Sequence, residues 1–214
     1  MYKDYVIFDT ETTGLDCKKD KICSLDAIKI RVIKSHDSYI IKKLSKFGFI
    51  CDPMITINKE ASKVNGYIRN YFKDEPNNLY GLPIFSDYAQ QLVEFFNNAN
   101  IVAHNVGFDF SFLLEELSKI DNNLFEIFVK QTTNIICTKQ IFAEILGLPR
   151  SFEYTKGTSL DILCDFLNVN RDIRKNGHGS FIDTQLTVDC FIKLLQNYNE
   201  LIIPFDINFL VENK

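Results

Sequence analysis

The order of segments along the chain constrains its fold more than any other feature. The run Tyr5-Val6-Ile7-Phe8 is short and wholly apolar, as in a buried strand, and Thr12-Thr13-Gly14 closes it. Residues 22–33 are rich in β-branched and apolar side chains and read as a second strand. Residues 39–50 read as a third, with Lys42, Lys43 and Lys46 marking a wet face. Cys51-Asp52-Pro53 ends this opening. Helical spacing then takes over, alternating with short apolar runs. Helices are predicted at 58–64, 86–96, 108–119, 139–146, from the Thr158-Ser159 cap to 167, and at 180–195. Strands are predicted at 101–104 and 134–137. Asn65-Gly66 stops the first helix. Ser86 is the expected N-cap of the second, with Tyr88, Leu92, Phe95 and Phe96 as its apolar stripe. Phe181, Val188, Ile192 and Leu195 form the stripe of the last. Residues 74–83 read as a loop. Strands first, then alternation, imply an α/β fold: a mixed sheet covered by helices, with five predicted strands. No repeat or second domain is visible. Residues 1–195 read as the single domain and 196–214 as a short C-terminal tail.

Composition narrows the function. A chain of 214 residues can bury a sizeable core. A formal charge of −4 and a pI of 5.4 argue against holding nucleic acid on a broad basic surface. They leave room for gripping a few nucleotides locally through metal ions. The six cysteines include no CxxC pair, and Cys137, Cys164 and Cys190 fall within apolar helical patterns. With no leader-like start, free buried thiols and a cytoplasmic location are expected. No apolar run approaches the ~20 residues of a membrane span. Neither a GxSxG elbow nor a GxxxxGK[ST] loop occurs, which disfavours serine hydrolysis and nucleotide triphosphate hydrolysis.

The acids carry the chemistry. Asp9 and Glu11 lie two apart on a predicted strand, so they share a face at its carboxyl end. Two such carboxylates repel each other unless a cation sits between them; a solvated strand end is the plainer alternative. Asp109 opens the helix after the strand at 101–104. The helix dipole alone would favour an acid there, but Asn105 and Gly107 form a tight elbow that holds it at another strand's carboxyl end. His178 lies between Gly177 and Gly179, with Asp183 one turn into the last helix. Four carboxylates suit two hard cations, which prefer oxygen ligands. Such a pair can clamp both oxygens of an in-line phosphodiester displacement. His178, titrating near neutrality, suits a general base. Arg171, Arg174 and Lys175, just before it, could supply a positive field for a phosphate backbone, or be a solvated loop.

Three segments together resemble the DEDDh exonucleases, a DnaQ-like family: Phe8 to Leu15 (FDTETTGL), Ala103 to Asp109 (AHNVGFD) and His178 to Asp183 (HGSFID). The likeness spans almost the whole chain and is greatest to the epsilon proofreading subunits of bacterial DNA polymerase III. The resemblance implies an RNase-H-like fold and 3′→5′ removal of nucleoside 5′-monophosphates from DNA. It implies Mg²⁺ or Mn²⁺, two per site, on Asp9, Glu11, Asp109 and Asp183, with His178 as base. Thr12 matches the contact to the terminal nucleotide's 3′ end, Leu15 the wedge beside its base, and Asn105 and Phe108 the pocket lining. A single-stranded 3′ end is the expected partner, with a polymerase subunit or sliding clamp as a further one. Leu201-Ile202-Ile203-Pro204-Phe205 is a candidate docking peptide, or coil packed back on the domain. RNA trimming, as in RNase T or oligoribonuclease, would use the same motifs. A polymerase-associated module without catalysis is a third reading, disfavoured by five intact polar residues. Two departures stand out: Ser24 replaces an acid and Asp26 a small residue in the family's second strand, and residues 74–80 look inserted.

Overall fold

The apolar run at the start belongs to a longer strand, because its alternating faces are buried on both sides of a sheet. In the computed structural model, which describes residues 1–36, 38–72, 74–132, 134–150, 156–176 and 179–204, β1 spans Tyr2–Thr12, β2 Ile22–Ser35 and β3 Ser38–Ile50. These pair antiparallel in a meander. β4 (Asn100–Ala103) and β5 (Ile135–Cys137) add in parallel on the other side of β1, giving the order β3-β2-β1-β4-β5. The mixed five-stranded α/β sheet expected from the sequence is therefore present.

Seven α-helices cover the sheet among the described residues: α1 (Lys59–Asn65), α2 (Ser86–Phe96), α3 (Val106–Ile120), α4 (Asn122–Gln131), α5 (Thr138–Ile145), α6 (Leu160–Phe166) and α7 (Ser180–Asn197). Alternation along β1 decides which face each residue joins. Val6 and Phe8 pack with α2, α3 and α4. Tyr5 and Ile7 pack with α5, α6 and α7. The first layer is phenylalanine-rich, with the Phe8 and Phe96 rings edge-on at 5.3 Å, a contact worth about 0.5–1.5 kcal/mol beyond burial. Asp9 and Glu11 continue the Tyr5–Ile7 face. The acids begin where the apolar alternation stops, over the layer that contains α7.

Local boundaries differ from the sequence reading in instructive places. α4 was not expected. Asp121 caps it by accepting from the Asn123 amide at 2.8 Å, and only Leu124 and Phe128 are buried; its other apolar residues blur the helical period. Ser86 is the first helical residue, not the cap. Phe85 occupies that position without a side-chain cap, and Asp87 accepts from the Ile84 amide at 2.9 Å. Cys137 ends β5, within the strand expected at 134–137 and outside any helical pattern. Phe181 is exposed, while Val188 and Leu195 are buried as expected and α7 also buries Thr184, Thr187, Phe191 and Leu194. All six cysteines are free, and five are buried. α7 runs past residue 195, and Tyr198, Leu201 and Ile202 pack onto the same core. Arg150 holds this segment by donating to the Leu201 carbonyl at 2.7 Å. Phe205 lies outside the described residues. No helix among the described residues is long and apolar enough to cross a membrane.

Candidate active site

Each acid is delivered by a different piece of local physics. Asp9 and Glu11 sit in register with Asp26 and Ser24 of β2. Asp109 is placed by the elbow after β4. Asn105 there takes the left-handed conformation (φ 79°), which asparagine tolerates better than most residues, while Gly107 is already within α3. Thr10, on the opposite face of β1 from Asp9, donates both its amide (3.0 Å) and its hydroxyl (2.7 Å) to Asp109 Oδ1. Asp183 sits in the first turn of α7, where the helix dipole favours a negative charge.

The four carboxylates feel one another. Burial, then Asp109, Asp183 and Glu11, push Asp9 well above the usual carboxylate range. Burial, then Asp183 and Asp109, raise Glu11 to about 7, against the pull of Arg174 and a hydrogen bond to Asn65. Burial also raises Asp109 to about 7; the Thr10 hydrogen bonds oppose this and Asp183 adds to it. Three separated motifs thus bring their acids into one electrostatic neighbourhood, short of cations. A cation that acts on them is Arg174, which pairs with Asp183 and donates to Asp161 at 3.1 Å. Among the described residues no three His, Cys, Asp or Glu side chains are drawn into a finished metal cage. Asp183 is turned to Arg174 instead. The donor set, all hard oxygen and held charged only at a cost, suits hard cations.

The remaining candidates divide. Leu15 is 87% exposed, free to meet a ligand. Thr12 is buried, donating its hydroxyl to the Gly14 carbonyl at 2.6 Å. Phe108 is half-buried, its ring 5.0 Å from that of Phe112. Asn105 accepts from Lys139 at 3.3 Å. The basic trio does not present three open charges: Arg171 grips Asp165 at 2.8–2.9 Å, Lys175 reaches Asp172 at 2.6 Å, and only Arg174 faces the acids. His178 lies outside the described residues. His104, inside a motif, is structural: its Nε2 meets the Thr158 carbonyl and its Nδ1 the Thr138 hydroxyl, both at 3.0 Å. The carbonyl requires Nε2 to donate, so Nδ1 accepts. Burial lowers this histidine to about 4 and keeps it neutral.

Some participants were not singled out in the sequence. Thr10 anchors Asp109. Asn65 donates to the Thr12 carbonyl at 3.1 Å and bonds to Glu11. In the sequence Asn65 stood out only as half of the Asn65-Gly66 helix stop. The departures at Ser24 and Asp26 also find a role. Ser180 donates to Asp26 Oδ2 at 2.7 Å, its oxygen lies 2.9 Å from the Ser24 hydroxyl, and Thr184 donates to the Asp26 carbonyl at 2.9 Å. These bonds pin the turn that carries Asp183 onto β2. A cavity between Met1, Tyr5, Tyr39 and Leu195, at the other end of β1, is lined by no acid.

Residues 6–191 match the RNase_T exonuclease family. The chain belongs to that family. It is a 3′→5′ exonuclease domain, and exonucleases of this kind are metal-dependent. A PolC-type DNA polymerase III from Caldanaerobacter subterraneus subsp. tengcongensis is 27% identical over 92% of the chain. The chain covers only 12% of that protein. The DNA polymerase III epsilon subunit of Rickettsia typhi is 30% identical, covering 88% of the chain and 72% of the subunit. E. coli exonuclease I, in a zinc-bound complex with single-stranded DNA, superposes with a TM-score of 0.69 at 14% identity. That match covers 93% of this chain and 42% of exonuclease I, and it shows the shared fold.

Proposed function

We propose that this exonuclease domain removes nucleotides one at a time from the single-stranded 3′ end of DNA, in the manner of a proofreading subunit. The observation that carries the reading is the crowding of Asp9, Glu11, Asp109 and Asp183, whose mutual repulsion is relieved by cations. These four would hold two ions, Mg²⁺ or Mn²⁺, which when bound lower the pKa of an attacking water and neutralise charge at the phosphorus. Thr10 keeps the Asp109 carboxylate aimed into the site. Arg174 and Lys175 would bring positive charge to the substrate phosphate. Leu15 meets the terminal base, and Thr12, Asn105 and Phe108 shape the space around it. His178 takes the proton from the attacking water. The catalytic unit takes in the segment after α7, where Leu201 and Ile202 pack on the core rather than stand free as a docking peptide; likeness to polymerase subunits supports a polymerase or its clamp as partner.

A time course on 3′-labelled and 5′-labelled single strands tests the reading. The 3′ label should leave first as a mononucleotide, the 5′ label should report a shrinking ladder, and chelation should stop both. Internal cuts, or turnover indifferent to chelation, would overturn it. Faster loss from RNA than from DNA would move the assignment to RNA trimming. His178→Ala should lower kcat on the order of 10²–10⁴-fold, the range for a general base; full activity removes it from the mechanism.

A further inference from the structure

The segment after α1 carries the most exposed aromatic side chains among the described residues. Phe72 is 89% exposed and Tyr71 68%. They are not scattered. Tyr71 lies edge-on to Phe72 and to Tyr80, both with ring centroids 5.0 Å apart. The Arg69 guanidinium covers Tyr80 at 5.0 Å. The platform is braced from beneath. Asn78 accepts from the Asn70 amide at 2.9 Å and donates to the Asn70 carbonyl at 2.8 Å. Arg69 is held by buried Asp52. Rings fixed in this way spend little conformational entropy on binding, and an exposed aromatic group of this kind marks an interaction site.

Its place follows from the sheet register. Glu11, Ser24 and Ile50 lie side by side across β1, β2 and β3. Asp52 follows Ile50 almost directly, so Arg69 and the rings above it stand at the acid-bearing end of the sheet. Ile50 itself stands two strand spacings, about 10 Å, from Glu11. Asn65, bonded to Thr12 and Glu11, and Tyr67, bonded to Ser24, tie the same segment to the site. A groove beside it is lined by Lys59, Lys63, Arg69 and Glu75, with Lys63 paired to Glu60.

We propose that Tyr71, Phe72 and Tyr80 form a stacking platform for the bases of a single nucleic-acid strand, a few nucleotides upstream of its 3′ end. Every base offers a π-face, so the platform is indifferent to sequence. A protein partner would suit rings remote from the acids; these share the acids' end of the sheet. The inference rests on the exonuclease reading.

The test measures KM and kcat of wild type, Phe72→Ala, Tyr71→Ala/Phe72→Ala and Phe72→Trp on a dinucleotide and on a 12-mer. The double variant should raise KM for the 12-mer about tenfold or more, the loss of stacking for one base. It should leave kcat, and both constants for the dinucleotide, unchanged. Phe72→Trp should restore the 12-mer. A KM that is unchanged for the 12-mer, or raised equally for both lengths, overturns the platform. Failure of wild type to cleave either substrate sinks the exonuclease reading instead, and 12-mer affinity measured under chelation then judges the platform alone.

Discussion

Asp52 and Asp109 are equally buried, each 3% exposed, yet they are opposites. Burial pushes Asp52 up, but Arg69 and the Gly81 and Met54 amides, at 2.9 and 2.8 Å, outweigh it, and the carboxyl ends below its usual range. Among the described residues Asp109 has two bonds from Thr10 and no ion pair, and it faces Asp9 and Asp183. It ends near neutrality. The first acid is compensated inside the fold and serves structure. The second is left for something the fold does not contain, which is how a site differs from a brace.

The comparison breaks first at Asp109→Asn. The amide oxygen can still accept from Thr10, while the charge is gone. Turnover is expected to fall by about 10³-fold, several kcal/mol of transition-state stabilisation, while the metal-free melting point stays level or rises. Mg²⁺ should raise the wild-type melting point by mass action and the variant's much less. A variant that turns over normally would make Asp109 another brace.

Arg69→Met tests the other member. It strands the Asp52 charge, and removing one partner of a buried pair costs about 3–5 kcal/mol, to be read by urea unfolding. A loss under about 1 kcal/mol, typical of an exposed pair, would erase the distinction.

Stability against pH sharpens it. Glu11 and Asp109 are raised in the fold, so the folded state binds more protons than the unfolded state between their unfolded values and about 7. Metal-free protein should lose stability as pH rises from those unfolded values to about 7, on the order of 1.4 kcal/mol per pH unit for each extra proton, and level off above it. Asp52 is lowered, so its contribution is present above its unfolded value and disappears as pH falls through the folded one. Melts without metal from about pH 3 to about pH 8 should show both limbs. Asp109→Asn should flatten the neutral limb and Arg69→Met the acid limb. Neutral-limb slopes that match in wild type and Asp109→Asn would count against the crowding.

Asp26 is an intermediate case, raised by burial while accepting from Ser180. Gly48 makes room for it, because a Cβ there would stand 2.5 Å from Asp26 Oδ1 and 3.1 Å from the Leu25 carbonyl. Gly48→Ala should cost about 1–3 kcal/mol, as overpacking does, and much less in an Asp26→Ala background. Additive losses would mean that the backbone contact, not Asp26, sets the need for glycine.

The sequence by itself determined the α/β alternation, the five strands and the identity of the acids as candidates. Hydrophobic period and spacing are local properties, and Asp9 and Glu11 share a face because strand geometry requires it. It could not separate Asp109 from an ordinary helix-start acid, nor show that Asp52 is a brace, since both readings depend on which distant residue stands opposite. α4 was missed because five apolar residues in ten hid its period, and Phe181 was misplaced because exposure depends on where α7 lies on the sheet. Only the tertiary structure decided that Thr10 anchors Asp109, that Ser24, Asp26 and Ser180 clasp α7, and that Arg174 rather than Arg171 or Lys175 faces the acids. The physical reason is range. Periodicity acts over a few residues, whereas charge and burial act through space between residues as far apart as Thr10 and Asp109, which only the packed chain brings together.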